Sequence, residues 1–127
     1  MILDFLAVMI GSALGGGARY GAELAWPYGP PDAGLPMATL AVNIAGSLAA
    51  GIVLGLTLPG GPLPVGRTAL FLVTGFCGGF TTFSAFTLHT VAMLQEGEPW
   101  LALTYILLSV VLSVAAAGIG YLVGSQI

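Results

Sequence analysis

Hydrophobic residues fall into four long runs, and short links rich in proline, glycine and acidic residues separate them. The runs extend approximately over Ile2 to Leu24, Met37 to Leu58, Thr68 to Leu94 and Trp100 to Val123. As a helix rising ~1.5 Å per residue, each run is long enough to cross ~30 Å of hydrocarbon. The pattern predicts one domain, residues 1–127, that is an all-α bundle of four transmembrane helices surrounded by membrane lipid.

Composition supports a membrane protein and excludes other classes. The chain is 57% hydrophobic and 6% charged, with a mean hydropathy of +1.05. A net charge of −3 with two arginines cannot supply the basic surface that nucleic acids require. Cys77 stands alone in an apolar run, where a thiol behaves as a small hydrophobic group. Ser84 and His89 are five residues apart and do not share a helix face, so no local nucleophile and base indicate an enzyme.

The two arginines bear on orientation. After four crossings, Arg19 lies near the side of the first and third links, and Arg67 lies in the second link on the opposite side. One positive charge on each face gives the positive-inside rule almost no preference. We therefore expect that the chain can insert in both orientations and form an antiparallel homodimer, although the sequence does not exclude a heterodimer with a related chain.

Carboxylates are confined to the ends of the runs and to the links. They are Asp4, Glu23, Asp32, Glu96 and Glu98. Transporters of cations, protons or cationic drugs usually hold an ionisable carboxylate within a membrane span. This distribution counts against a dual-topology small multidrug transporter, the main alternative. A non-transporting subunit of a larger complex is a further alternative.

Neutral polar residues form stripes along two of the predicted helices. Their members recur at i, i+4 and i+8, so each set shares one face: Thr39, Asn43 and Ser47 in the second run, and Tyr105, Ser109 and Ser113 in the fourth. Spacing alone leaves two interpretations. The stripes either hold helices together by hydrogen bonds or line an uncharged conduit whose O–H and N–H donors suit an anion.

Pairs of glycines recur four residues apart on the predicted helices. They are Gly11 and Gly15, Gly51 and Gly55, and Gly120 and Gly124. This spacing allows helix backbones to approach closely. With twenty glycines in the chain, the pairs are a weak signal of helix crossings.

The third run has a composition that disfavours a continuous helix. Gly75, Gly78 and Gly79 are followed by the β-branched Thr81 and Thr82. One interpretation is a break at membrane depth, whose freed carbonyls need partners and could bind a hard cation. The other is a continuous helix in which glycines permit close packing.

Two phenylalanines follow the glycines on one helix face. Phe83 and Phe86 lie beside Ser84 and Thr87. Phenylalanines most often serve packing, but the positive edge of an aromatic ring also stabilises an anion without trapping it.

Four motifs together resemble the Fluc (CrcB) fluoride channels of bacteria, in order and over essentially the whole chain. They are Gly15-Gly-Gly-Ala-Arg-Tyr20, Thr39-Leu-Ala-Val-Asn-Ile-Ala-Gly46, Gly75-Phe-Cys-Gly-Gly-Phe-Thr-Thr-Phe-Ser-Ala-Phe86 and Leu94-Gln-Glu-Gly97. The resemblance implies passive, fluoride-selective export across the bacterial inner membrane, and hence fluoride resistance. It also implies a dual-topology antiparallel homodimer with two pores and a central structural sodium ion.

The resemblance assigns roles to individual residues. Carbonyls of Gly78 and Thr81 would bind sodium, and Arg19 would lie near the vestibule. Phe83 and Phe86 would contact fluoride, with Asn43 as an amide donor. The remaining pore candidates carry hydroxyl groups and are Thr39, Ser84, Thr87, Tyr105, Ser109 and Ser113.

The chain departs from the family pattern in the third motif. The family usually reads Thr-Thr-Phe-Ser-Thr-Phe-Ser, then any residue, then Glu, whereas this chain has Ala85, Thr87 and His89. A role for the missing acid does not carry over. His89 is interpreted either as a neutral, hydrogen-bonded packing residue or as a pH-sensitive pore group.

Overall fold

The computed structural model describes residues 1–28 and 34–127, so Asp32 and part of the first predicted link lie outside the described residues. Within those ranges every regular element is helical. The elements are α1 (Ile2–Ala25), α2 (Met37–Leu56), α3 (Arg67–Ala69), a π-helix (Leu70–Cys77), α4 (Gly78–Phe80), α5 (Phe83–Gln95) and α6 (Pro99–Gly124). The predicted all-α class is confirmed.

Four helical stretches are long and apolar enough to cross a membrane, which confirms the four predicted spans. The third span combines α3, the π-helix, α4 and α5 as Arg67–Gln95. The second span ends at Leu56, two residues earlier than predicted, since a turn begins at Thr57 ahead of Pro59. The fourth begins at Pro99, because proline suits the first position of a helix, where its missing N–H costs nothing.

The third span is broken at Thr81 and Thr82. Thr81 has φ −80° and ψ 160°, and Thr82 has φ −151° and ψ 118°, so both are extended. The predicted break is confirmed, and the alternative of one continuous helix is wrong. We call residues 67–80 the first half of the third span and Phe83–Gln95 its second half.

Glycines allow α1 to contact the first half of the third span backbone to backbone. A Cβ at Gly11 would overlap the carbonyl oxygen of Phe71, and one at Gly15 would overlap that of Phe76. In return, a Cβ at Gly79 would overlap the carbonyl oxygen of Ser12. Only glycine permits so close an approach, as the spacing of Gly11 and Gly15 predicted.

The α2 and α6 helices form the second tight pair, by the same means. A Cβ at Gly51 would overlap the Ala117 carbonyl oxygen, and one at Gly120 would overlap that of Leu48. Gly55 and Gly124 meet one turn further along. The other two glycine pairs predicted from the sequence are therefore also helix crossings.

The remaining interior is small and built from side chains around α5. Met93 and Tyr105 are fully buried, and Phe86, Leu40 and Ala102 pack with them. Large hydrophobic side chains elsewhere are exposed on the outer faces of the helices. In a membrane those faces contact lipid tails or another protein.

Candidate functional site

Asn43 on α2 connects to the break in the third span through both ends of its amide. Its Nδ2 donates to the carbonyl oxygen of Thr82 at 3.1 Å, and its Oδ1 accepts from the Thr82 N–H at 2.7 Å. The side chain thus replaces the helical partners that an extended residue loses, which makes non-helical backbone tolerable at membrane depth. Gly46 makes room beside it, since a Cβ there would overlap the Thr81 side chain.

The same contacts release two carbonyl groups. In a continuous helix the N–H of Thr82 would bond to the carbonyl of Gly78, but Asn43 takes that N–H. The N–H of Ala85 would bond to the carbonyl of Thr81, but it donates to the Thr82 hydroxyl at 3.1 Å, the N-cap of α5. Among the described residues, neither carbonyl accepts a backbone hydrogen bond.

These two carbonyls are the ones predicted to bind sodium. Hard cations prefer oxygen ligands, so the donor set fits the ion chemically. Gly78 is exposed in the single chain, which leaves it accessible to a second copy. The described residues contain no group of three or more His, Cys, Asp or Glu side chains suited to a metal.

A groove of about 320 Å³ lies beside the break between α2, α5 and α6 and opens on the side of the single chain where Phe83 and Val114 are exposed; we call it the inner cavity. All of its lining residues are uncharged: Asn43, Ser47, Thr81, Thr82, Phe83, Phe86, Ser109, Val110, Ser113 and Val114. The lining includes five of the predicted pore residues, which are Asn43, Phe83, Phe86, Ser109 and Ser113, and members of both polar stripes. Ser47 joins them, although the prediction did not include it.

Aromatic rings continue from this cavity into the bundle. Phe83 is 76% exposed, whereas Phe86 is buried, and their ring centroids are 5.3 Å apart. The Phe86 ring is 5.4 Å from that of Tyr105, at an angle of 44°. Tilted contacts of this kind present ring edges as well as faces.

A second cavity of about 440 Å³, the vestibular cavity, opens at the first link. Arg19, Glu23, Tyr28, Thr39 and His89 contribute its polar side chains, with Tyr20 and the indole of Trp26 nearby. Arg19 Nη1 donates to Glu23 Oε1 at 3.1 Å, and its Nε donates to the carbonyl of Gly79 at 3.4 Å. The arginine therefore lines the vestibular cavity, paired with a carboxylate and bonded to the backbone of the third span.

Buried hydroxyl groups lie between the two cavities. Thr39 lines the vestibular cavity, Ser109 lines the inner one, and Tyr105 lies next to both. The Tyr105 and Ser109 hydroxyls are buried, yet no hydrogen-bond partner for either lies among the described residues. Buried polar groups normally have a partner, and the nearest side-chain groups here are the hydroxyls of this column itself, since Tyr105 lies beside Ser109 and Thr39.

Three predicted pore residues line neither cavity: Tyr105, which lies beside Thr39 and Ser109, and Ser84 and Thr87. The Thr87 hydroxyl donates to the carbonyl of Ser84 at 2.9 Å, within the same helix. The Ser84 hydroxyl lies 3.2 Å from that of Thr82 and is exposed. In the single chain these hydroxyls stabilise the start of α5 and do not join the column of Tyr105.

Neither Glu23 nor Tyr28 was predicted to line the vestibular cavity. The sequence also did not predict that Asn43 bonds to both the N–H and the carbonyl of Thr82. Asn43 and Thr82 are 39 residues apart, so spacing carries no signal of their contact. Tyr28 follows α1, where burial and the Glu96 carboxylate both raise the pKa of its phenol. It therefore stays protonated, and able to donate, throughout the physiological pH range.

Comparison with known proteins gives a consistent result. The family model "CrcB-like protein, Camphor Resistance (CrcB)" matches residues 6–121. A "Fluoride-specific ion channel FluC" of Paracoccus denitrificans is 48% identical over 120 residues, covering 94% of this chain and 93% of the relative. A namesake in Thermus thermophilus is 43% identical, covering 97% and 94%. "Fluoride-specific ion channel FluC 2" of Bacillus subtilis is 45% identical, covering 97% and 88%.

Taken with the four apolar spans, these matches make the chain a multi-pass membrane protein.

Proposed function

The chain belongs to the CrcB family, which comprises ion channels and not enzymes, and from that premise we propose that it is a fluoride-selective channel. Fluoride would leave passively across the bacterial inner membrane, which would make the cell resistant to the fluoride that enters as neutral hydrogen fluoride. The relatives from three bacterial genera, each named a fluoride-specific ion channel, support this proposal.

The observation that carries the proposal is the uncharged column between the two cavities. Thr39 lines the cavity that contains an arginine, Ser109 lines the inner cavity, whose lining bears no charge, and Tyr105 lies beside both residues. An anion that leaves water needs donors, but a fixed cation deep in a medium of low dielectric would hold it too tightly. Hydroxyl groups and ring edges attract fluoride but bind it weakly enough for it to leave.

The inner cavity would replace the hydration shell of fluoride. Ser109 and Ser113 offer hydroxyl donors, and Phe83 and Phe86 offer ring edges. Asn43 donates one amide hydrogen to Thr82 and retains the second, which is available to an anion. The amide would thus hydrogen-bond to the backbone at the break and also donate to fluoride in the pore.

The vestibular cavity would attract fluoride without binding it firmly. Arg19 provides positive potential at the mouth, and Glu23 at 3.1 Å offsets most of its charge. The pair is partly exposed, so water and salt screen it further. Fluoride would therefore be attracted there only weakly and would move on to the neutral hydroxyls.

We further propose that two copies associate antiparallel around a structural sodium ion. Two carbonyls from each copy, those of Gly78 and Thr81, would surround the ion, which would neutralise the exposed backbone dipoles at the centre. One arginine on each membrane face supports insertion in both orientations. Phe83, exposed in the single chain, would be partly covered by the partner.

Fluoride efflux from liposomes containing the purified protein tests the proposed function. We expect release much faster than from protein-free liposomes, with little chloride released under the same gradient. Equal rates with and without protein, or equal chloride and fluoride rates, would refute the proposal. A Phe83→Ala, Phe86→Ala double variant of the same dimer serves as a control for leakage caused by protein insertion.

The sodium site is tested separately, by the thermal stability of the detergent-solubilised dimer. Replacing sodium by N-methyl-glucamine, a cation too large for the site, should lower the melting temperature and favour the monomer. A dimer of equal stability in both salts would eliminate the structural ion without affecting the proposed fluoride conduction.

A further inference from the structure

His89 lies at the point where the vestibular cavity meets the hydroxyl column. It lines that cavity with Arg19 and Thr39, and its Nδ1 is 3.4 Å from the Thr39 hydroxyl. Its ring centroid is 4.6 Å from that of Tyr28 and 6.4 Å from that of Tyr105. An anion moving from the mouth to Tyr105 therefore passes the imidazole.

Protonation changes what His89 offers to an anion. A neutral imidazole has one donor and one acceptor nitrogen, and a lone pair facing the path repels fluoride. The imidazolium has two donors and a positive charge. Its Nδ1–H would donate to the Thr39 oxygen, so the Thr39 hydrogen would turn away from the ring and toward the path.

Few titratable groups face His89. Facing it are Arg19 and Glu23 on α1, paired at 3.1 Å, Tyr28 after α1, and Tyr105 on α6. The α2 helix contributes Thr39, which does not titrate, and Asp32 lies outside the described residues. The charges of Arg19 and Glu23 largely cancel, and among these groups His89 is the one whose unperturbed pKa lies between about pH 5 and 8.

We propose that protonation of His89 increases fluoride flux, so that the channel conducts faster as the pH falls. The proposal rests on the proposed fluoride channel and deepens it. A positive charge near the mouth, where water reaches, raises the local concentration of an anion without the trap that a deep charge would create. Because more fluoride enters cells as hydrogen fluoride at low pH, the channel would conduct most when it is most needed.

The first experiment measures fluoride efflux from proteoliposomes with equal pH inside and outside, at pH 7.5 and at pH 5.5. Protein-free liposomes at each pH give the leak of hydrogen fluoride, which is subtracted. We expect the wild-type flux per protein to rise at least about threefold at the lower pH. The variants His89→Asn, which keeps a polar atom near Thr39, and His89→Gln stay neutral at both pH values. In each variant the flux should therefore differ little between pH 7.5 and pH 5.5.

The second measurement uses the wild-type protein, so it does not depend on variants that fold. His89 is the only histidine of the sequence, and its imidazole therefore gives a single NMR signal once any affinity tag is removed. The midpoint of its titration should lie within about half a pH unit of the midpoint of the flux curve.

The outcomes separate the two proposals. A wild-type flux that is independent of pH, an equal rise in both His89 variants, or a histidine that titrates outside the range of the flux change would overturn this inference and leave the channel intact. No protein-dependent fluoride flux at either pH would overturn the channel itself, and this inference with it.

Discussion

The first half of the third span contacts its neighbour through backbone, whereas the second half contacts its neighbours through side chains. Gly75 and Gly79 bring residues 67–80 against α1 so closely that no side chain fits between them. In the second half, Phe86 packs against Tyr105, while Phe83 is left largely exposed beside the inner cavity. Glycines thus produce a close contact between backbones, and larger side chains produce a cavity wall.

The break between the halves allows one span both to pack closely against α1 and to line the inner cavity. A continuous helix would carry the same hydrogen-bonded backbone throughout and would expose no free carbonyls. With Asn43 and Thr82 supplying substitute hydrogen bonds, the backbone changes direction at little cost. The following predictions test this division, from the largest expected effect to the smallest.

Removing the connection between the halves should have the largest effect. Asn43→Ala leaves the N–H and the carbonyl of Thr82 without partners, each at a cost of about 1–3 kcal/mol. We expect a large fall in melting temperature in detergent and loss of the native dimer. Ser47→Ala, one turn further along the same cavity wall, is the matched control. If the two variants melted alike, Asn43 would not hold the break.

Adding one methyl group at the backbone contact should weaken the first half. Gly15→Ala places a Cβ on the Phe76 carbonyl, and overpacking of this kind costs about 1–3 kcal/mol. In Gly17→Ala, on the same helix, the Cβ enters open space, so stability should be unchanged or slightly higher. Thermal unfolding of the two variants measures the difference. Equal melting temperatures would show that the contact is looser than the structure indicates.

Changing the rings should separate flux from stability in the second half. Phe83→Ile and Phe86→Ile should each lower fluoride flux about tenfold, if a ring edge contributes about 1 kcal/mol or slightly more to the passing ion. Melting should fall more for Phe86→Ile than for Phe83→Ile, because Phe86 is buried within the chain itself, where Phe83 is 76% exposed. Liposome efflux and thermal unfolding measure the two effects. Unchanged flux in both variants would make the rings packing residues only.

The smallest effect is expected at the N-cap of the second half. Thr82→Val keeps the shape but removes the hydroxyl that accepts from Ala85, at a cost of about 1 kcal/mol. Thr82→Ser keeps an acceptor and should retain most of the stability. A Val variant as stable as the Ser variant would mean that the extended Thr82 backbone, and not its side chain, sets the start of α5.

Much of the site was predictable, because its members recur at helical spacing. The spacing of each stripe put its members on one helix face, and the structure places Asn43, Ser47, Ser109 and Ser113 on the inner cavity and Thr39 on the vestibular cavity. The prediction of Ser84 and Thr87 as pore residues remains untested in a dimer. In the single chain their hydroxyls bond to nearby backbone or to Thr82, an option that hydroxyl groups near a helix start commonly take.

The sequence by itself determined the four spans, because hydrophobic length is a local property, and glycine spacing and helix propensity indicated helix crossings and a candidate break between Gly75 and Thr82. Only the tertiary structure decided how the break is held and which carbonyls it releases. Asn43 and Thr82 meet across 39 residues, and no local pattern encodes which N–H a distant amide will take. The surroundings of His89 were also decided only by the tertiary structure. Its neighbours Thr39, Tyr28 and Tyr105 come from three different parts of the chain.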